Sequence, residues 1–172
     1  KNEECNPGRN VEFIFAPPGG EYFLGGDQLG RDVLSRLIWG TRISMYVGVA
    51  SMLISIPLGT FLGIVSAYFG GTTDLIIQRF VDAAMAFPGL ILALAIMAVL
   101  GASINNVIIA LVVVFIPGVC RTVRSQALST KQTDYVLAAR AIGAGDWRII
   151  FRHMAPNLTS IYLVLAPITL AW

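Results

Sequence analysis

AAMAFPGLILALAIMAVLGASINNVIIALVVVFIPGVC, residues 83–120, contains no Asp, Glu, Lys or Arg. As one helix it would extend nearly 57 Å at about 1.5 Å per residue, about twice a hydrocarbon core of roughly 30 Å, so it must cross, turn and return. Gly101-Ala-Ser-Ile-Asn-Asn106 supplies the turn. The expected hairpin has spans near Asp82–Leu100 and Val107–Val123, each with an interior proline, Pro88 and Pro117. Such prolines free backbone carbonyls within a span, and they serve either packing kinks or bends that line a pathway.

A second block, residues 43–73, is also free of charge. Ile43 to Phe69 makes one long crossing of roughly 40 Å, able to tilt or to bend at Pro57, and Gly70-Gly71 ends it. Gly59 and Gly63, four residues apart, let another backbone come close and mark a helix contact. Across the 172 residues 56% are apolar and only 13% charged, where soluble domains carry about 25% charged residues. The charges are confined to stretches between the apolar blocks, which excludes a water-soluble enzyme and leaves an integral membrane protein. The net charge of +2 is small and scattered, with no basic face for nucleic acid.

Upstream, Pro7 and Pro17-Pro-Gly-Gly20 predict an irregular polar loop outside the membrane over residues 1–28, with one short extended piece around Val11 to Ala16. Asp32 to Arg42 reads as helix, with Val33, Leu34, Leu37 and Ile38 against Asp32, Ser35 and Arg36. It is either a helix resting on the bilayer surface or the entry turn of the span.

Arg121, Arg124, Lys131, Arg140, Arg148 and Arg152 outnumber Asp134 and Asp146 over residues 121–157, which assigns this segment to the cytoplasm. Counting back, residues 101–106 lie outside, Gly70–Arg79 inside and the first 42 residues outside. Arg31, Arg36 and Arg42 run against this order, but long polar segments obey the rule poorly. Cys5 and Cys120 then face opposite sides and cannot pair.

Within the inner segment, Thr133-Asp134 is placed as an N-cap, Tyr135 to Ile142 as a helix, and Gly143 as its end at positive φ. Asp146 caps a second helix whose Trp147, Ile150, Phe151 and Met154 form a stripe, and Pro156 closes it. The result is an elbow of helix, glycine turn and helix. Ala138 and Ala139 give its first arm a low-relief side suited to a groove on another protein, while the stripe anchors the second arm on neighbouring spans or the lipid interface.

Asp134-Tyr-Val-Leu-Ala-Ala-Arg-Ala-Ile-Gly-Ala-Gly-Asp-Trp-Arg-Ile-Ile-Phe-Arg-His-Met-Ala-Pro-Asn157 resembles the "EAA" loop of bacterial ABC-importer permeases. Gly26-Asp-Gln-Leu-Gly-Arg-Asp-Val-Leu-Ser-Arg36 with Gly40-Thr-Arg-Ile-Ser44 looks like the segment before the second span in the dipeptide/oligopeptide/nickel branch. Leu137 stands where the family often has glutamate, and Met154 and Ala155 replace its Ile and Leu. The resemblance implies an all-α, polytopic bundle, a fragment of a six-span permease in the bacterial inner membrane. Residues 1–31 would be an extracytoplasmic loop and 32–172 the transmembrane domain, incomplete at its C-terminus, with a coupling loop at 134–156. It further implies docking of an ATPase subunit on Tyr135, Ala138, Ala139, Arg140, Gly143, Asp146, Trp147 and Pro156. The implied partners are a second permease subunit, two cytoplasmic ATPases that carry ATP and Mg, and an external solute-binding protein, with no cofactor on this chain.

Three rival readings follow from local motifs. Gly25-Gly-Asp-Gln-Leu-Gly30 has the glycine spacing of a phosphate loop, but Arg31-Asp32 replaces Lys and Ser/Thr and no strand precedes it. Gly143-Ala-Gly-Asp146 matches an intramembrane aspartyl protease motif, yet Asp146 lies in a basic, water-facing loop. A secondary transporter or channel core would place ionisable groups at mid-span, and these spans have none. No catalytic or metal-ligating set is read, and His153 has no ligand partner at helical spacing. The expected function is permeation of di- or oligopeptides, with nickel or another small solute as the alternative.

Overall fold

The computed structural model describes residues 14–19 and 22–170. Cys5 and most of the expected extended piece lie outside them, and its first described residues, Ile14 and Phe15, form a turn with Phe15 at φ 54°. Among the described residues the architecture is all-α, with isolated bridges at Gly19 to Tyr22 and Gly26 to Asp32. Two compact units divide the chain, Lys1–Tyr46 and Val47–Trp172. The division falls inside a helix, whereas the sequence-based boundary lies between residues 31 and 32.

In the first unit a loop is organised around one carboxylate. Asp27 accepts the N–H of Leu29 at 2.8 Å and of Arg31 at 3.0 Å, and the guanidinium groups of Arg31 and Arg36 close over it. Gly25 and Gly30 have φ of +78° and +71°, and a Cβ on Gly25 would stand 2.5 Å from the carbonyl oxygen of Ala16. Asp32 then accepts the N–H groups of Leu34 and Ser35, both at 3.1 Å, and so starts helix α1, Val33–Phe69. Asp32 is thus a cap rather than part of a polar helix face. Of the two readings of Asp32–Arg42, a surface helix or the entry turn of the span, the continuous 37-residue helix is the second.

In the second unit, α1 continues through Pro57 and is followed by α2, Gly71–Met85, α3, Gly89–Leu100, and α4, Ile104–Thr130. The single span expected over Asp82–Leu100 is broken: α2 and α3 meet at 89°. α2 stops at Met85, and Pro88, whose fixed φ and missing N–H suit a helix start, holds the N-cap of α3 instead of sitting inside a helix. At 12 residues, or about 18 Å, α3 is too short to cross alone. Gly101 (φ +87°) turns the chain, and Ser103 caps α4 by accepting the N–H of Asn106 at 3.1 Å. α4 contains Pro117 as expected but runs seven residues past Val123, so Arg124 joins Arg121 on the helix.

The elbow is present as α5, Asp134–Ala141, a turn at Gly143 with φ +79°, and α6, Asp146–Arg148. α6 continues as a wide π turn, Ile149–Met154, and a tight 3-10 turn, Ala155–Leu158, before α7, Thr159–Leu170, at 64° to what precedes it. Pro156 lacks an N–H and its ring crowds the carbonyl four residues back, which accounts for the departure from α geometry around it. The core lies where the elbow meets two spans: Ile64, Ala67 and Tyr68 of α1, Val119, Val123 and Ala127 of α4, Val136 and Ala139 of α5, with Ile149, Ile150, Met154 and Leu158.

Candidate functional site

The last carbonyls of a helix have no partner within it, and a cation there is favoured by the aligned peptide dipoles. α1 meets this need with a residue from another helix end. Lys131, directly after α4, donates from Nζ to the carbonyl oxygens of Ala67 at 3.2 Å and Tyr68 at 2.7 Å. Gly70 and Gly71, at φ +65° and +52°, then redirect the chain into α2. In the first turn of α2, Asp74 accepts from Ser66 Oγ of α1 and from Arg124 of α4, whose Nε lies at 2.6 Å. Gln78 Nε2 reaches Ser66 Oγ at 3.1 Å. Three helices are joined by this polar cluster, at the end where the elbow packs.

The same end shows why Gly59 and Gly63 are glycine. A Cβ on Gly59 would stand 2.7 Å from the Val119 side chain, and one on Gly63 would stand 2.7 Å from the Cys120 carbonyl oxygen and 3.0 Å from the Arg124 nitrogen. α1 and α4 are in backbone contact there.

The elbow is attached to this cluster through Tyr68. Its hydroxyl donates to Asp146 Oδ1 at 2.6 Å, and Arg140 of α5 stands 5.4 Å from its ring centroid. Asp146 therefore does not cap α6 with its side chain as the sequence predicts: Gly145 holds the cap position, and the carboxylate is taken by the phenol. Thr133 holds its cap position before α5, but its hydroxyl donates back to the Thr130 carbonyl at 2.6 Å instead of accepting from the helix.

Ala138 and Ala139 do not share one face. Adjacent residues are about 100° apart on a helix, and here Val136 and Ala139 turn into the core while Tyr135, Leu137, Ala138, Arg140, Ala141 and Ile142 face outward. Gly143, Asp146, Trp147 and Pro156 are exposed as well. The Trp147, Ile150, Phe151 and Met154 stripe resolves into two ridges. Ile150 and Met154 are buried in the core, whereas Trp147 and Phe151 remain more than half exposed and stack beside Phe61 of α1, with centroids 6.3 and 6.5 Å from its ring.

The loop with phosphate-loop spacing is filled by its own Asp27 carboxylate, which takes the N–H groups an anion would need. The sequence does not mark Tyr68, Asp74, Arg124 and Lys131 as site residues. The one available signal is Asp74, the first charge after an unbroken apolar block.

Residues 55–172 match the family model described as the binding-protein-dependent transport system inner membrane component. Over 147 residues the chain is 43% identical to the glutathione transport system permease protein GsiD of Pectobacterium atrosepticum, covering 86% of this chain and 49% of that protein. It is 37% identical over 163 residues to the dipeptide transport system permease protein DppC of Alkalihalophilus pseudofirmus, covering 95% and 52%. With DppC of Haemophilus influenzae the identity is 41% over 162 residues, covering 91% and 55%. The chain spans about half the length of the curated relatives it matches.

Proposed function

Because this chain belongs to the binding-protein-dependent transport system inner membrane components, we propose that it is a permease subunit of an ATP-driven importer for di- or oligopeptides. Relatives named for glutathione and dipeptide transport favour peptides over nickel as the solute. The subunit supplies spans and no catalytic group. ATP and Mg are held by two ATPase subunits on the cytoplasmic side, a second permease subunit completes the pathway, and an external binding protein delivers the solute.

The observation that carries this reading is the two-sided elbow. α5 buries Val136 and Ala139 against the spans and offers Tyr135, Ala138 and Ile142 outward. Small residues between larger ones on an exposed short helix suit insertion into a groove on a partner. Movement of that partner then acts on spans already joined at this end by Asp74, Arg124 and Lys131, so that closure of the ATPases biases the bundle between inward and outward openings.

Ala138→Trp in the full-length permease tests docking without entering the core. It is expected to lower co-purification of the ATPase subunits and transport by at least about tenfold. Normal assembly and transport in that variant would sink the docking role. Ala139 is unsuitable for this purpose, since a larger residue there disturbs the core first.

A further inference from the structure

Tyr68 is 5% exposed although it is the penultimate residue of α1. Each of its parts has a partner. The carbonyl accepts from Lys131 Nζ, two cations stand by the ring with Lys131 Nζ at 5.8 Å and Arg140 Cζ at 5.4 Å, and the hydroxyl donates to Asp146. These partners come from the end of α4, from α5 and from the first residue of α6, so one side chain on a span meets both arms of the elbow. Apolar packing around it is non-directional and tolerates sliding. A charge-assisted hydrogen bond is short and directional, so displacement of Asp146 either carries the phenol along or breaks the bond.

We propose that Tyr68 is a positioning residue through which displacement of the elbow is passed to the end of α1. The proposal rests on the docking reading above and names the point at which docking becomes movement of a span.

The test uses the full-length permease, assembled in proteoliposomes with its ATPase subunits and binding protein. Tyr68→Phe keeps the ring and removes only the hydroxyl. It is expected to retain the ATPase subunits and the basal rate of hydrolysis, while solute transported per ATP falls about tenfold, the scale of one lost charge-assisted hydrogen bond. Stimulation of hydrolysis by the loaded binding protein falls with it. Asp146→Asn, whose amide oxygen still accepts from the phenol but without the charge, should lose less transport per ATP than Asp146→Leu, which should match Tyr68→Phe.

Unchanged transport per ATP in Tyr68→Phe would overturn the proposal. So would loss of the ATPase subunits from that variant, which would make Tyr68 part of the scaffold, or equal damage from Asp146→Asn and Asp146→Leu. An unmutated permease that never retains the ATPase subunits would take down the docking reading as well, and that failure is seen in the control alone.

Discussion

Asp27 and Asp74 are similarly covered, with side chains 17% and 21% exposed, and each is held by arginine. They differ in reach. Every described partner of the Asp27 carboxylate lies within nine residues of it, and together they shape one loop. Asp74 draws on Ser66, eight residues away, and on Arg124, fifty residues away, and so joins three helices. A carboxylate satisfied by its neighbours orders a segment by itself. One satisfied from a distance depends on the fold already being assembled, and its loss is felt by everything it joins.

The sharpest way to break this contrast is to separate the helices on which the distant tie depends. Gly63→Ala places a methyl group 2.7 Å from the Cys120 carbonyl oxygen and 3.0 Å from the nitrogen of Arg124, the residue that holds Asp74. Both are backbone atoms and cannot rotate away. The expected cost is about 3 kcal/mol, at the upper end for overpacking, measured by thermal unfolding in detergent. Gly118→Ala on α4, where a Cβ would meet nothing within 4 Å, is the control and should change stability by less than about 1 kcal/mol. Equal effects from the two would mean that the α1–α4 approach is not what supports the cluster.

A smaller loss follows from removing Asp74 itself. Asp74→Ala leaves Arg124 covered and unpaired. With both partners partly exposed, at 29% and 21%, the cost falls below that of a fully buried pair, to about 2 kcal/mol. Hydrogen exchange should rise in the last turn of α1 and around Asp146, not only beside residue 74. A change confined to the first turn of α2 would place Asp74 with Asp27 among locally acting groups.

The same distinction in reach marks what could be read from sequence. The elbow was legible because helix starts and stops are written in adjacent residues: Thr133 does precede α5, and Gly143 does take positive φ. The apolar blocks and the turn at Gly101 were legible for the same reason. Pro88 was misplaced because membrane spans tolerate interior prolines, and only packing decides whether a given one bends a helix or ends it; here α3 leaves at 89° to α2. Asp146 reads locally as a cap, whereas Gly145 takes that position, and the pairing of Asp146 with Tyr68, 78 residues earlier, leaves no local trace. The loop around Asp27 has glycine spacing shared with anion sites, and spacing alone does not say that the anion is the loop's own side chain.

The smallest expected effect tests the local side of the contrast. The backbone N–H of Arg31, foremost, and that of Leu29, with the guanidinium groups of Arg36 and Arg31, hold the Asp27 carboxyl well below the usual carboxylate range. A group whose pKa is depressed by folding stabilises the folded form above its unfolded value, near 3.9, and loses that contribution as pH falls from there through the folded value. The loop should therefore keep its structure unchanged from pH 7 down to about 4.5, with the amide chemical shifts of Leu29 and Arg31 constant over that window. Asp27→Asn should alter those two amides and leave exchange at the elbow as it was. A titration midpoint near 4 at Leu29 or Arg31 would show that the bonds around Asp27 do not favour its ionised form, and the loop would then need another explanation for its shape.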